Sequence, residues 1–351
     1  MTERDQKLAR RTLIAGAGLG IGAGLVSNLV RSAQAQTPAA AAPVATAADT
    51  PVWSGDYWAK KGDVPLYLRR KRVGAPAAGE APKPALFLVH GSSTSAGTSF
   101  DLSVPGHGEY SLMNVFARFG FDVWTMDHDG YGRSGSSGNN SDIASGVVDL
   151  TAGTEVVARE TGRDKFYFCG VSSGAIRAGA FANARQDRVE RLVLVAFTYK
   201  GTDAPTLRQR AKQLEYYRTH NRRLRDREMI RSIFTRDGHP EAYDPAVADA
   251  IADAELKFGD QVPTGTYLDM TSNLPLVDPK KVLAPVMMVA GEHDGIASVD
   301  DVLDFYKNLP NGDRQFVTLP GAAHSLTSAK NRHLFWYVMR EFLNMPAPVT
   351  T

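Results

Sequence analysis

The chain has 351 residues, 43% of them apolar and 22% charged, an ordinary globular composition that suits one large domain or a domain carrying an insertion. Forty basic side chains stand against 38 acidic ones, a formal charge of +2, so nothing in the overall charge argues for nucleic acid or an anionic membrane surface as a partner. The single cysteine, Cys169, excludes an internal disulfide, and no internal repeat is visible.

Residues 1–35 read as an export signal. Arg10-Arg11 precede Thr12-Leu13-Ile14, a mildly apolar Gly/Ala run continues to Val30, and Ala33-Gln34-Ala35 fits a small-x-small cleavage site. The pattern resembles a twin-arginine signal, whose partner is the twin-arginine export machinery and whose cargo crosses a bacterial inner membrane already folded. A periplasmic or secreted protein is the expectation, with residues 12–30 retained as an uncleaved anchor as the alternative. Cleavage after Ala35 leaves 35 basic and 36 acidic side chains. Residues 36–51, rich in Ala, Pro and Thr, are expected to be a disordered linker.

From Val52 onward strand and helix patterns alternate. Pro65–Arg72 predicts a strand that pairs with Val52–Trp58 in a hairpin, and Gly74–Pro84 reads as a loop. Ala85–Val89 is wholly apolar, as in a strand buried on both faces. Tyr110–Phe119 predicts a helix, Phe121–Met126 a strand, Ile143–Glu160 a helix, Phe166–Cys169 a strand, Ser173–Arg185 a helix and Arg191–Phe197 a strand. After an interruption, Pro285–Ala290, Val299–Lys307, Gln315–Leu319 and Asn331–Phe342 predict strand, helix, strand and closing helix. This order implies an α/β fold with a mostly parallel sheet flanked by helices, built from residues 52–198 and 280–346.

The interruption at 199–279 is predicted mainly helical, with no buried-strand run. Its charge is segregated: residues 200–236 hold eleven basic and four acidic side chains, residues 237–270 one basic and eight acidic. Two sets of helices with complementary solvated faces account for this. So does an arginine-lined entrance that attracts anionic substrates, or a basic helix lying on a membrane. Tyr199, Tyr216, Tyr217 and Tyr267 are candidates for the pocket side of the insertion or for plain packing.

The chemistry concentrates at strand ends. Gly170-Val171-Ser172-Ser173-Gly174 places a serine between two glycines where a strand hands over to a helix, the layout of a nucleophile elbow. A serine hydroxyl needs a base, and the base an orienting carboxylate. Gly291-Glu292-His293-Asp294 follows the strand at 285–290 and offers Asp294 as the acid, with Glu292 as runner-up. Pro320-Gly321-Ala322-Ala323-His324 follows the strand at 315–319 and offers His324 as the base. An oxyanion formed at Ser172 would meet the Ser173 N–H and, from the loop His90-Gly91-Ser92-Ser93, the Ser92 N–H. His90 is read as a structural brace for that loop and Cys169 as a buried structural thiol. The long stretch Ser92–Tyr110 is either pocket wall or surface loop.

Taken together these pieces resemble the α/β-hydrolase superfamily over about residues 52–345. The matching motifs are His90-Gly91, the loop Asp127–Ser134, the elbow Gly170–Gly174, Gly291–Asp294 and Gly321–His324. The resemblance implies that 199–279 is a helical cap over the active site. It also identifies Asp127, His128 and Asp129 with a family loop rather than a metal site. Family members that cleave haloalkanes or epoxides carry aspartate at the elbow, so serine points to acyl chemistry. The expectation is an exported, capped, carboxylesterase-like serine hydrolase. It would need no cofactor or metal and would act on a small-molecule ester, an anionic one if the arginine-lined entrance holds, with Ser172, His324 and Asp294 as its triad. A C–C bond hydrolase, lactonase or amidase would use the same residues, and a non-enzymatic binding module is the remaining alternative.

Overall fold

The computed structural model describes residues 50–348. The expected export signal (1–35) and residues 36–49 of the expected linker lie outside them. Strands β1 (Val52–Lys61) and β2 (Val64–Val73) form an antiparallel hairpin about Gly62. Strand β3 (Ala85–Val89) follows, all five residues buried. The stretch after it is not a plain loop. It holds helix α1 (Ala96–Phe100) and the small antiparallel pair β4 (Leu102–Ser103) and β5 (Glu109–Tyr110), and leads to α2 (Leu112–Arg118). Tyr110, predicted to start that helix, is instead in β5. Ser111 caps the helix by accepting from the Asn114 N–H.

Strand β6 (Asp122–Met126), helix α3 (Ile143–Thr161), strand β7 (Phe166–Val171), helix α4 (Ser173–Ala184) and strand β8 (Val189–Val195) alternate as the sequence predicts. Helix α3 begins where the Asp142 carboxylate accepts from the Ser145 N–H, and ends at Gly162 in a left-handed conformation that costs a glycine little. The segment 199–279 contributes α5 (Pro205–Ala211), α6 (Leu214–Thr219), β9 (Arg222–Leu224), α7 (Arg227–Ser232), α8 (Pro245–Glu255), β10 (Gln261–Pro263) and α9 (Gly265–Ser272). It is mainly helical, yet β9 and β10 pair antiparallel, three residues a side, too short to leave a periodic signature. Strand β11 (Val286–Gly291), helix α10 (Val299–Lys307), strand β12 (Arg314–Leu319) and helix α11 (Arg332–Asn344) close the chain.

Eight strands form one sheet in the order β1-β2-β6-β3-β7-β8-β11-β12. Pairing is antiparallel across β1/β2 and β2/β6 and parallel from β6 to β12. Alternating side chains feed two cores. Leu86 and Leu88 of β3 join Phe116 of α2 and Phe335 of α11 on one face; Phe87 and Val89 join Leu150, Ile176 and Phe305 on the other. Each such side chain stabilises the fold by about 1.5–3 kcal/mol relative to exposure. Because β3, β7, β8, β11 and β12 run parallel, the loops leaving their C-terminal ends gather along one edge. Ser92, Ser172, Asp294 and His324 all come from such loops. Among the described residues no helix is long and apolar enough to cross a membrane.

Candidate active site

Ser172 has φ +57° and ψ −127°, a backbone conformation strained for a side-chain-bearing residue, forced by the abrupt passage from β7 into α4. The flanking glycines are required by contact. A Cβ on Gly170 would lie 2.6 Å from the Ala175 Cα, and one on Gly174 would lie 2.5 Å from the His90 carbonyl oxygen. Only residues without side chains let the elbow close this tightly against β3.

The structure brings the three sequence-predicted residues into one hydrogen-bonded chain. His324 Nε2 is 2.8 Å from Ser172 Oγ, and His324 Nδ1 is 2.8 Å from Asp294 Oδ1. With Nδ1–H donating to the carboxylate, Nε2 is left to accept from the serine hydroxyl. Asp294 Oδ1 also accepts from the Ile296 and Ala297 N–H groups at 2.8 and 2.9 Å. Burial alone would push the Asp294 carboxyl up, but the His324 charge and hydrogen bond and these two N–H donors hold it below its ordinary value. Glu292, the runner-up acid, is turned away and accepts from the Gly321 N–H at 2.8 Å.

Ser92 and Ser173 are both buried, and their side chains meet, Oγ to Oγ, at 2.7 Å. Neither backbone N–H has an acceptor among the described residues. The loop carrying Ser92 is held from several sides. Tyr131 Oη–H donates to the Ser92 carbonyl at 2.8 Å, and the Asp127 carboxylate accepts from the Ala96 N–H at 2.8 Å. Glu255 of α8 accepts from the Ser95 N–H at 2.7 Å and from the Ser95 hydroxyl at 2.6 Å, and it also pairs with the buried guanidinium of Arg225. His90 braces the loop from below. Its Nδ1 faces the Gly91 carbonyl at 2.9 Å and its Nε2 accepts from the His128 N–H at 3.1 Å. Burial holds His90 well below its ordinary value, so it is neutral.

Beneath that brace, His128 Nδ1 lies 3.0 Å from Asp149, whose other oxygen pairs with Lys61 Nζ at 2.6 Å. Lys61 also reaches Asp129 at 2.7 Å, so the acids of the 127–129 run are committed to backbone donors and this cation. Among the described residues no group of three metal-ligating side chains gathers around an open point. Cys169 is fully buried in β7, and burial pushes its thiol up.

A cavity of about 90 Å³ lies over Ser172 and His324. Ser92, Ser93, Thr98 and Phe100 form part of its wall, so the near half of the 92–110 stretch is pocket. Asp101 and His107 pair elsewhere, with Lys71 and Asp244. The segment 199–279 covers the cavity with Arg210, Ile233, Phe234, Arg236 and Ile251. One residue of this segment reaches the triad: Asp237 accepts from the His324 N–H at 3.1 Å. Nothing in the local sequence around Asp237 or Glu255 marked them, because their partners lie 87 and 160 residues away. Tyr131 lies in the Asp127–Ser134 loop, but its role depends on where its hydroxyl points. Of the four candidate tyrosines, Tyr267 lines the cavity next to the site and Tyr217 a further cavity beyond it, while Tyr199 packs on Phe305 and Tyr216 stacks on the His220 ring.

A parallel sheet with helices on both faces and a strained serine elbow defines the α/β-hydrolase fold. Residues 80–331 match the model of the hydrolase family described as serine aminopeptidase, S33, and the chain belongs to that family. No curated protein sequence matches the chain significantly. Among solved structures it is similar to E-2-(acetamidomethylene)succinate hydrolase, with 17% identity, TM-score 0.61 and coverage of 84% of this chain and 100% of that one. It is similar to the carboxylesterase CesB of Bacillus subtilis, with 18% identity, TM-score 0.60 and coverage of 85% and 94%. It also resembles the enol-lactonase of Burkholderia xenovorans LB400, with 16% identity, TM-score 0.56 and coverage of 82% and 100%. At these identities the likeness is one of fold.

Proposed function

We propose that this α/β-hydrolase is an exported serine hydrolase that cleaves a carboxylic ester through an acyl-enzyme on Ser172. The observation that carries the reading is the unbroken chain Ser172–His324–Asp294, at 2.8 Å per link, beside a cavity lined by Ser172, His324 and Ser92, with the Ser92 and Ser173 N–H groups without acceptors among the described residues. His324 Nε2 takes the hydroxyl proton as Ser172 Oγ attacks the carbonyl carbon. Asp294 holds the imidazole in the tautomer that allows this and stabilises the imidazolium. The Ser92 and Ser173 N–H groups receive the oxyanion, each such donor being worth on the order of 10²–10³ in rate. His324 then returns the proton to the departing alcohol, and water repeats the sequence to release the acid. The twin-arginine pattern of residues 1–35 supports export to the periplasm or beyond.

The same residues can open a lactone, an amide or an activated C–C bond, and the proteins of similar fold span several of these reactions. A substrate panel separates them: p-nitrophenyl acetate, a five-membered lactone, an aminoacyl p-nitroanilide and a vinylogous diketone. The ester reading expects p-nitrophenyl acetate to be cleaved with a burst of one nitrophenolate per active site. Turnover of the anilide or the diketone with no ester cleavage would overturn it.

A further inference from the structure

The basic half of the 199–279 segment divides in two. Arg227 and Arg231 pair with Asp253 and Asp249, and Arg225 with Glu255, so part of the charge segregation is resolved by ion pairs between the two halves. Arg210, Arg223 and Arg236 are among the arginines that stay out of that pairing, and they are the ones that line cavities near the serine. Arg210 and Arg223 meet no carboxylate within 4 Å among the described residues; instead their guanidinium groups stand over the Tyr267 ring at 5.0 and 4.8 Å. Arg236 reaches only its neighbour Asp237, at 3.9 Å, and its Nε is buried without a partner.

All three line the Ser172 cavity or the cavities next to it. Arg210 and Arg236 line the Ser172 cavity, which has no carboxylate in its wall. They also line, with Arg223, a neighbouring cavity of about 390 Å³ whose single acid is Asp237. Arg210 and Arg223 continue into a third cavity of about 400 Å³, where Lys212 joins them and no acid does. Asp237, which also accepts from the His324 N–H, offsets only one of these three positive charges. The lining therefore carries surplus positive charge from the outer cavity to the nucleophile.

We infer that Arg210, Arg223 and Arg236 form an anion-binding subsite that selects esters carrying a carboxylate on one side of the scissile bond. The inference rests on the acyl-enzyme reading above and names the substrate class for it. Guanidinium forks match carboxylates in shape, and a cavity of this size holds a small molecule. The crowding of like charges agrees: burial together with the Arg236 and Arg223 charges brings Arg210 down to about 10, which leaves it cationic at neutral pH. An anion in the subsite relieves that repulsion.

The test uses the purified full chain and two readouts. The first is kcat/KM for the monomethyl esters of succinate, glutarate and adipate, with the carboxylate on the acyl side, and for 4-acetoxybutanoate, with it on the alcohol side. Each is measured against a neutral ester of equal length. The second is protection of Ser172 from a fluorophosphonate by the dicarboxylates from malonate to adipate, against their neutral diamides. The expected result is a preference for one anionic series of about 10- to 100-fold, and protection by its dicarboxylate but not by its diamide. Both should weaken about tenfold or more in Arg210→Gln and Arg236→Gln, fall severalfold between 50 and 500 mM salt as an approximate screening range, and persist in the exposed control Arg218→Gln. Equal treatment of charged and neutral compounds, or a preference unmoved by the Arg210 and Arg236 substitutions, overturns the subsite and leaves the acyl-enzyme standing. Failure of Ser172 to label at all overturns the reading beneath it.

Discussion

Replacing Glu255 by glutamine removes one charge from the junction between α8 and the loop that presents Ser92. The Glu255 and Arg225 side chains are 0% and 2% exposed, so the substitution strands a guanidinium where water cannot reach it. Glutamine keeps an acceptor for the Ser95 N–H and hydroxyl, which bond Glu255 at 2.7 and 2.6 Å, so the lost charge is the main change. Breaking a buried pair in this way costs about 3–5 kcal/mol. For the roughly 300 residues described, an unfolding entropy of about 2.1 cal/mol/K per residue converts that cost to a fall in Tm of about 5–8 °C. Thermal unfolding by calorimetry reads it directly. The double variant Glu255→Gln/Arg225→Met removes the stranded charge and should recover at least half of the loss. A single-variant shift below about 1 °C, or a double variant no better than the single, would refute the assignment of this pair as the tie between the 199–279 segment and the Ser92 loop.

Three further outcomes are expected. Asp294→Asn leaves the fold intact but favours the wrong imidazole tautomer, and kcat should fall by about 10⁴ in a burst-resolved ester assay. Gly174→Ala places a Cβ 2.5 Å from the His90 carbonyl oxygen, and urea unfolding should show a loss of about 3 kcal/mol or more, or no folded protein. Burial, with the Arg177 charge, brings His128 from its ordinary 6.5 down to about 4. The unfolded chain therefore takes the proton first. The stability this histidine supplies is full above about pH 6.5 and is lost as pH falls to about 4, on the order of 3 kcal/mol, and His128→Gln should flatten that part of the urea-midpoint profile.

The sheet and the three residues that meet at its edge, Ser172, His324 and Asp294, were legible because each rests on local pattern. Ala85–Val89 and Val286–Gly291 are unbroken apolar runs buried at every position, and a strand buried on both faces can look like little else. Ser172, Asp294 and His324 each follow a strand of the parallel part of the sheet, which brings loops far apart in sequence to one edge, although only the strand before Asp294 is buried at every position. What escaped depends on pairing across distance. Strands β9 and β10 contribute three residues each and lie 36 residues apart, so neither carries a period of its own. The short helix α1 and the β4/β5 pair are set by what they pack on. The charge segregation was visible, but not which arginines it would leave over: Arg227 and Arg231 found acids, while Arg210 and Arg223 faced the cavity. That sorting is a property of helix orientation.

The central claim is that Ser172 is the nucleophile and His324 its base. Incubation with a fluorophosphonate followed by peptide mass spectrometry addresses it most directly. A phosphonyl adduct is expected on the peptide containing Ser172 and nowhere else, absent from Ser172→Ala and formed at least about 10³-fold more slowly in His324→Ala. An adduct on another residue with Ser172 unmodified, or equal labelling of Ser172→Ala, would contradict the account.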